Sequence, residues 1–242
     1  MLLNSKTLFE AESLAHDVMD IDALRLTDVH SLTAQSARPR PLQAHHVLDK
    51  ILAAVAIVFF APLFLLIAAL IKMHDGGTVV FRHRRVGEGG RMFECYKFRS
   101  MVLDSESALK RHLEANPTAR AEWSMNHKLH DDPRITGLGK FLRKTSLDEL
   151  PQFFNVLQGE MSLVGPRPIV REELLKYGRF ARHYLRTRPG ITGLWQISGR
   201  NDVSYRKRIA LDILFIRKFD LVMYLKILAL TVPAVLLRKG SY

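Results

Sequence analysis

A chain of 242 residues, 48% of them hydrophobic, can bury one sizeable core or two small ones, and its single cysteine, Cys95, excludes an intrachain disulfide. The formal charge of +12 is unevenly laid out: residues 1–50 carry five Lys/Arg against seven Asp/Glu, residues 51–71 carry none, and residues 72–242 carry 31 against 17. A basic excess confined to the part after the apolar run attracts anionic partners, whether nucleic acid, anionic lipid headgroups or phosphorylated substrates.

Residues 1–45 mix acidic, polar and Pro-containing stretches and read as a weakly ordered tail with room for a short helix. Residues 51–71 are uncharged and lie between Lys50 and Lys72. Twenty-one residues at about 1.5 Å each just cross a hydrocarbon core of roughly 30 Å, so a soluble core helix is a poor reading. The run begins too far into the chain for a signal peptide. Pro62 falls at its centre, where it removes a backbone hydrogen bond and can kink the helix. A sharp kink returns the chain to the face it came from; a mild one lets it cross, and the pattern alone leaves both open. The positive-inside tendency places the basic domain in the cytoplasm.

Two β-prone runs follow, at 78–81 and 92–98, separated by Gly87-Glu-Gly-Gly90, which predicts a hairpin. Residues 105–130 are polar and helical in character, interrupted at Pro117. Residues 137–144 lead into Asp148 and Glu149 and a helix ending near Leu157. Residues 159–200 are dense in Gly, Pro and Arg and predict structured loops around short helices. Helices at 205–220 and 221–237 end the chain; the second holds Lys226 and Pro233 and suits an interfacial or buried position better than a second span.

The acidic pair carries the chemistry. Ser146 three residues before Glu149 fits a capping box; alternatively Asp148 is itself the cap, with Pro151 in the first turn. Leu147, Leu150, Phe154 and Leu157 form an apolar stripe that reads as core. Against the plain capping role stands a ring of cations. A carboxylate held near a magnesium ion can attack a phosphoryl group, and phosphoryl transfer needs cations around the non-bridging oxygens. Lys97, Arg99, Arg143, Arg167, Arg188 and Arg200 sit near the pair or in Gly/Pro turns that fix their direction. The ten histidines show no metal-ligand spacing, and Cys95 reads as a packed thiol.

Five motifs, in order, resemble the bacterial sugar transferases, the monotopic phosphoglycosyl transferases that start glycoconjugate assembly. They are Lys97-Phe-Arg-Ser-Met101, Ser146-Leu-Asp-Glu-Leu-Pro-Gln152, Gly159-Glu-Met-Ser-Leu-Val-Gly-Pro-Arg-Pro168, Arg188-Pro-Gly-Ile-Thr-Gly-Leu-Trp-Gln196 and Ser198-Gly-Arg-Asn201. The run 195–205 and the chain end are most similar to the exopolysaccharide-initiating, ExoY-type branch.

The resemblance implies transfer of a sugar-1-phosphate from a UDP-sugar, galactose or glucose being favoured, to undecaprenyl phosphate with release of UMP. It makes Asp148 the nucleophile and Glu149 its support, with Mg2+ held by both. It also implies an α+β, mostly helical fold: a tail at 1–45, a re-entrant membrane helix at 46–73 kinked at Pro62, and a cytoplasmic catalytic domain at 74–242. That domain has a small β-hairpin and amphipathic interfacial helices. The expected location is the cytoplasmic face of the bacterial inner membrane, with no nucleic-acid partner and with room for a homodimer. One departure is Ala61-Pro62 where the family often has Ser-Pro, so the kink rests on proline and packing alone. The rival reading is a non-catalytic membrane-anchored module that binds anionic lipid or nucleic acid through its basic face.

Overall fold

The computed structural model describes residues 10–15, 44–126, 129–198 and 204–236. Arg200 and most of the predicted tail at 1–45 lie outside these residues. Residues 10–15 are helical and reach the core through Ala11 and Leu14.

The apolar run forms a single helix, α1 (Ala44–Asp75), 32 residues and about 48 Å long, with Pro62 inside it. An apolar run of this length has to be helical in lipid, because only local hydrogen bonds can satisfy its amides there. Its burial alternates along its length. Asp49 and Ala53 near the start and Ile67 and Ile71 near the end are buried, while Val55, Val58, Phe59 and Leu65 between them are exposed.

The hairpin is present, with β1 (Val80–Val86) antiparallel to β2 (Met92–Phe98) and His83 opposite Cys95. β1 runs on through the basic stretch Arg82-His-Arg-Arg85, beyond the predicted 78–81. The backbone partners come from β2 whatever side chains β1 carries, so composition understated its length. The helical stretch at 105–130 is two helices, α2 (Ser105–Ala115) and α3 (Pro117–Asn126). Pro117 opens the second, where its missing N–H costs nothing, and the Asn116 side chain accepts from Ala119 N–H at 3.1 Å.

Next come α4 (Gly137–Thr145) and α5 (Gln152–Gln158), with Asp148 and Glu149 in the turn between them. Beyond α5, β3 (Ser162–Val164) pairs in parallel with β4 (Gly190–Thr192), a sheet too short to leave a periodicity in the sequence. Short helices α6 (Arg171–Leu174), α7 (Ala181–Tyr184) and α8 (Leu194–Ile197) fill the loop region. The long helices α9 (Tyr205–Lys218) and α10 (Leu221–Leu236) finish the fold. Ile209, Leu211, Ile213 and Phe215 of α9 are buried at the centre of the larger core, with Tyr177, Tyr184 and Tyr224 around them.

One expected core element is rotated. Phe154 and Leu157 of the predicted apolar stripe are 39% and 40% exposed, while Gln152, Asn155 and Val156 on the other face of α5 are buried. The membrane helix is the reason. Leu147 and Leu150 pack into a second, smaller core with Ile67, Ile71, Phe98 and Leu142, and the Phe154 ring meets that of Phe64 at 5.8 Å. The stripe thus leans on α1, and the hairpin takes the polar face.

Candidate active site

Neither capping role predicted for the acidic residues is found. Ser146 ends α4 in the left-handed region (φ 57°), with its backbone N–H returned to Arg143 and Leu142. Leu147–Glu149 is a tight turn with no side-chain cap, and Pro151 precedes the first residue of α5. The turn lifts the acids off both helices while Leu147 and Leu150, on either side, anchor it against the membrane helix. Asp148 is 8% exposed; the Glu149 side chain is 34% exposed.

Burial pushes the Asp148 carboxyl up to about 6; Lys97 and Arg143 pull it down, and the neighbouring Glu149 adds to the rise. Helix-end stabilisation of the anion, expected from the capping reading, is therefore outweighed by desolvation. Lys97 Nζ donates to Glu149 Oε1 at 2.6 Å. Burial works against the Lys97 charge, yet Glu149 and Asp148 more than offset it and hold the ammonium above its ordinary range. Arg143 feels Asp148 as well, and its Nε donates to Ser100 Oγ at 2.8 Å. Gly139, one turn earlier on α4, makes that approach feasible: a Cβ there would lie 2.0 Å from the Ser100 carbonyl oxygen.

What aims Lys97 is a residue that sequence reading passed over. Asn155 is fully buried and takes the open edge of β2: its Oδ1 accepts from Tyr96 N–H at 3.0 Å, and its Nδ2 donates to the Glu94 carbonyl at 2.7 Å. One carboxamide thus replaces a missing strand beside Lys97. Spacing put Asn155 off the predicted apolar stripe, so the sequence carried no signal of its burial.

The other predicted cations are distributed differently. Arg99 is buried and paired with Asp75 at the end of α1. Arg167 lies over the Trp195 ring (5.9 Å), as Arg208 does (4.9 Å). The backbone of its loop is held by the Tyr184 hydroxyl, which donates to Arg167 O at 3.1 Å. This loop and the Arg188 motif are pressed together through glycine: a Cβ on Gly190 would stand 2.0 Å from Gly165 N. Arg188 itself donates to Glu88 (3.1 Å) and reaches Gly159, at the opposite end of α5 from Asp148.

Two hairpin side chains were also missed. Burial, Arg85 and Lys97 lower the His83 imidazole and favour its neutral form, while Arg85 feels Arg167, so the charge along the hairpin face is carried by Lys97 and Arg85 toward Arg167. Two further contacts hold this track: Arg85 Nη2 is 3.1 Å from His83 Nδ1, and Arg85 pairs with Glu173 at 3.6 Å.

A different set of ligand atoms gathers near the start of α1. His45, His46 and Asp49 bring theirs within 4.8 Å of one another and could coordinate a divalent ion, a grouping the sequence reading discounted. Two imidazoles suit zinc or manganese better than magnesium. The carboxylate there is also already in use: Asp49 Oδ2 accepts from Ser162 Oγ (2.7 Å), and Oδ1 accepts from Leu163 N–H (2.9 Å) and Tyr224 O–H (2.5 Å). At the acidic pair Glu149 Oε1 is likewise engaged, by Lys97 Nζ at 2.6 Å, while Asp148 keeps a net cost of burial that a hard dication would relieve.

Residues 41–238 match the family model described as bacterial sugar transferase. The exopolysaccharide production protein ExoY of Rhizobium meliloti is 50% identical over 207 residues, covering 86% of this chain and 92% of that protein. The undecaprenyl-phosphate galactose phosphotransferase of Salmonella typhimurium is 54% identical over 168 residues, 69% of this chain and 35% of that longer protein. A UDP-glucose:undecaprenyl-phosphate glucose-1-phosphate transferase of Xanthomonas campestris is 40% identical, over 80% of this chain and 39% of its own length.

Proposed function

This chain belongs to the bacterial sugar transferases, and on that premise we propose that it moves a sugar-1-phosphate from UDP-galactose or UDP-glucose to undecaprenyl phosphate, releasing UMP. The family carries the general activity, phosphoglycosyl transfer; the donor, the covalent step and the residue roles below are the proposal. The observation that carries it is the buried Asp148 beside Glu149, Lys97 and Arg143, in a turn braced against the membrane helix.

In the first half-reaction an Asp148 oxygen attacks the sugar-bearing phosphorus. The bond from that phosphorus to the bridging oxygen breaks, and UMP leaves with the bond's electrons. In the second, an oxygen of the lipid phosphate attacks the same phosphorus and frees the Asp148 carboxylate. Lys97 and Arg143 are the proposed partners of the non-bridging oxygens, and Arg85 with Arg167 would extend that field for the rest of the diphosphate, with His83 accepting from Arg85. Arg99, Arg188 and Arg200 are retained as candidate phosphate contacts. Mg2+, held by Asp148 and Glu149, would shield the charge between nucleophile and phosphate.

The contacts at the two ends of α1 support a re-entrant path. Asp49 is bonded to Ser162 and Tyr224, while Asp75 pairs with Arg99, in the same folded unit. A straight crossing would put those ends about 39 Å apart, on opposite faces of a hydrocarbon core of roughly 30 Å. With both flanks on one side, the catalytic region at 74–242 sits at the cytoplasmic face of the inner membrane, and exopolysaccharide synthesis begins there.

The test uses the purified protein in nanodiscs with radiolabelled UDP-hexose and Mg2+. Labelled phosphosugar should remain on the protein when the lipid acceptor is omitted, with one equivalent of UMP released and the label mapped to Asp148. UMP release only when both substrates are present, with no label on the protein, would overturn the covalent route.

A further inference from the structure

An arginine side chain is long and has many rotamers, so a guanidinium that must meet a phosphate in one orientation has to be held by something. For Arg143 that something is Ser100, in the motif that also carries Lys97. β2 ends at Phe98, and the next two side chains part company. Arg99 pairs with Asp75 at the end of α1, while Ser100, 8% exposed, turns to α4.

The backbone around Ser100 is fixed on α4 and the strand before it. Met101 bridges to Ile135, Val102 N–H donates to Arg134 O at 2.9 Å, and Ser100 O accepts from Thr136 N–H at 3.1 Å. Thr136 is the N-cap of α4, its hydroxyl accepting from Gly139 N–H at 2.9 Å. Gly139 and Arg143 are four residues apart and share a face of that helix. The bare Gly139 Cα lets α4 rest on the Ser100 backbone, and one turn on Arg143 Nε comes within 2.8 Å of Ser100 Oγ.

That bond selects the edge of the guanidinium that can meet an anion. A guanidinium offers a side fork, Nε with one Nη, or an end fork made of both Nη groups. Ser100 takes Nε, and Nη1 and Nη2 have no hydrogen-bond partner among the described residues. The acids that Arg143 feels leave them open. Asp132 gives its oxygens to Arg134, at 2.8 and 2.6 Å, and Asp148 attracts Arg143 without an ion pair between them. The end fork is the free one, with two N–H groups side by side for two oxygens of one phosphate.

We propose that Ser100 is a positioning residue: it holds Arg143 by Nε so that the Nη1/Nη2 fork engages two non-bridging oxygens of the donor diphosphate. The role rests on the phosphoglycosyl-transfer reading of the site. Arg143 meets the phosphate, and Ser100 acts only through it. Without the serine the guanidinium is free to present either edge or to turn onto Asp148.

A double-mutant cycle on the full-length protein in nanodiscs tests this. Affinity for UDP is measured by calorimetry in Mg2+, and kcat/KM by UMP release from UDP-galactose and UDP-glucose. Ser100→Ala should lower each by about tenfold, the effect of one hydrogen bond to a charged group, with wild-type melting. Ser100→Thr, which keeps the hydroxyl, should stay within about twofold. In an Arg143→Met background, which keeps the stem and loses the donors, Ser100→Ala should weaken UDP by less than about twofold more. A merely structural serine would lose as much in that background as alone, and such additivity would overturn the proposal. So would wild-type UDP affinity in Ser100→Ala. Should Ser100→Ala not fold, Ser100→Cys takes its place in the cycle, since the thiol is close in shape and a weak acceptor. UDP binding needs no turnover. Coupling without a phosphosugar intermediate leaves the positioning role standing, and additivity with the intermediate present removes that role alone.

Discussion

Asp148 and Asp212 are both carboxylates that the fold takes out of water, and burial is the main cause of the rise in both. Asp148 is pushed up to about 6 and Asp212 to about 7. Their surroundings differ. Asp212 sits at 2% exposure in the run Ile209–Phe215 of α9, all of it buried, and its Oδ2 accepts from Tyr177 O–H at 2.8 Å. That hydroxyl suits a core carboxyl and offers no route to a substrate. Asp148 lies in a turn at 8% exposure, with Glu149, Lys97 and Arg143 around it. Arg167 and Arg208 act on Asp212 as Lys97 and Arg143 act on Asp148, so neither a perturbed carboxyl nor nearby cations mark chemistry alone; what sets Asp148 apart is its place in a turn beside a second, part-exposed carboxylate, Glu149.

The largest test of that distinction is removal of the proposed nucleophile. Asp148→Asn should lower UMP release by about 10⁴-fold or more, measured under saturating donor, whereas Asp212→Asn should stay within roughly threefold of wild type. Comparable losses in the two variants would erase the contrast.

Next comes the cation. Lys97→Ala removes the partner of Glu149 and the charge proposed to meet the substrate phosphate, and a fall of about 10²–10³ in kcat/KM is expected, only partly restored by Lys97→Arg. An unchanged kcat/KM would move the anion-binding role elsewhere.

The brace behind Lys97 gives a smaller, structural effect. Asn155→Ala leaves the Tyr96 N–H and the Glu94 carbonyl without their partner in a part-buried place. At about 1–3 kcal/mol for each group, a loss of roughly 3 kcal/mol in unfolding free energy is expected by denaturant titration, with slower turnover. A neutral result would mean that water or a shifted strand takes over that edge.

The subtlest comparison is in pH. Folded Asp148 keeps its proton up to about pH 6, while the unfolded chain releases it near 3.8. Between those values the native state binds more protons, so its stability falls as pH rises, and above pH 6 the full cost of about 3 kcal/mol applies. Asp148→Asn should therefore melt higher than wild type at pH 7.5 without divalent ions, and the difference should vanish below pH 4. Added Mg2+ should shrink the gain, since the cation relieves the same cost. A variant no more stable at pH 7.5 would show that Asp148 is hydrated in solution.

Much of this was legible in the residues. An uncharged run of 21 residues can only be a helix in lipid, the Gly-rich turn between β-prone runs dictates a hairpin, and Pro117 interrupts the helical stretch at 105–130. The five motifs also mark the family without any coordinates. These readings succeed because each depends on local backbone chemistry or on residue identity. Where the local argument met a tertiary partner, it failed. The stripe through Phe154 and Leu157 reads as core by spacing, but spacing cannot say whether a helix faces α1 or the hairpin. The capping roles of Ser146 and Asp148 were locally consistent and lost to a turn whose shape is set by packing Leu147 and Leu150 against α1.

The cations show the same division most clearly. Their presence in Gly- and Pro-rich turns is written in the chain; their grouping is not. Lys97 reaches Glu149 across 52 positions because β2 and the turn meet at α5, and Arg188 finds Glu88 instead because its loop pairs with β3. Electrostatic partnership depends on distance in space, which short-range patterns do not encode. The kind of chemistry and its membrane setting could be read from the residues in order. Which charges stand together was decided by the packing.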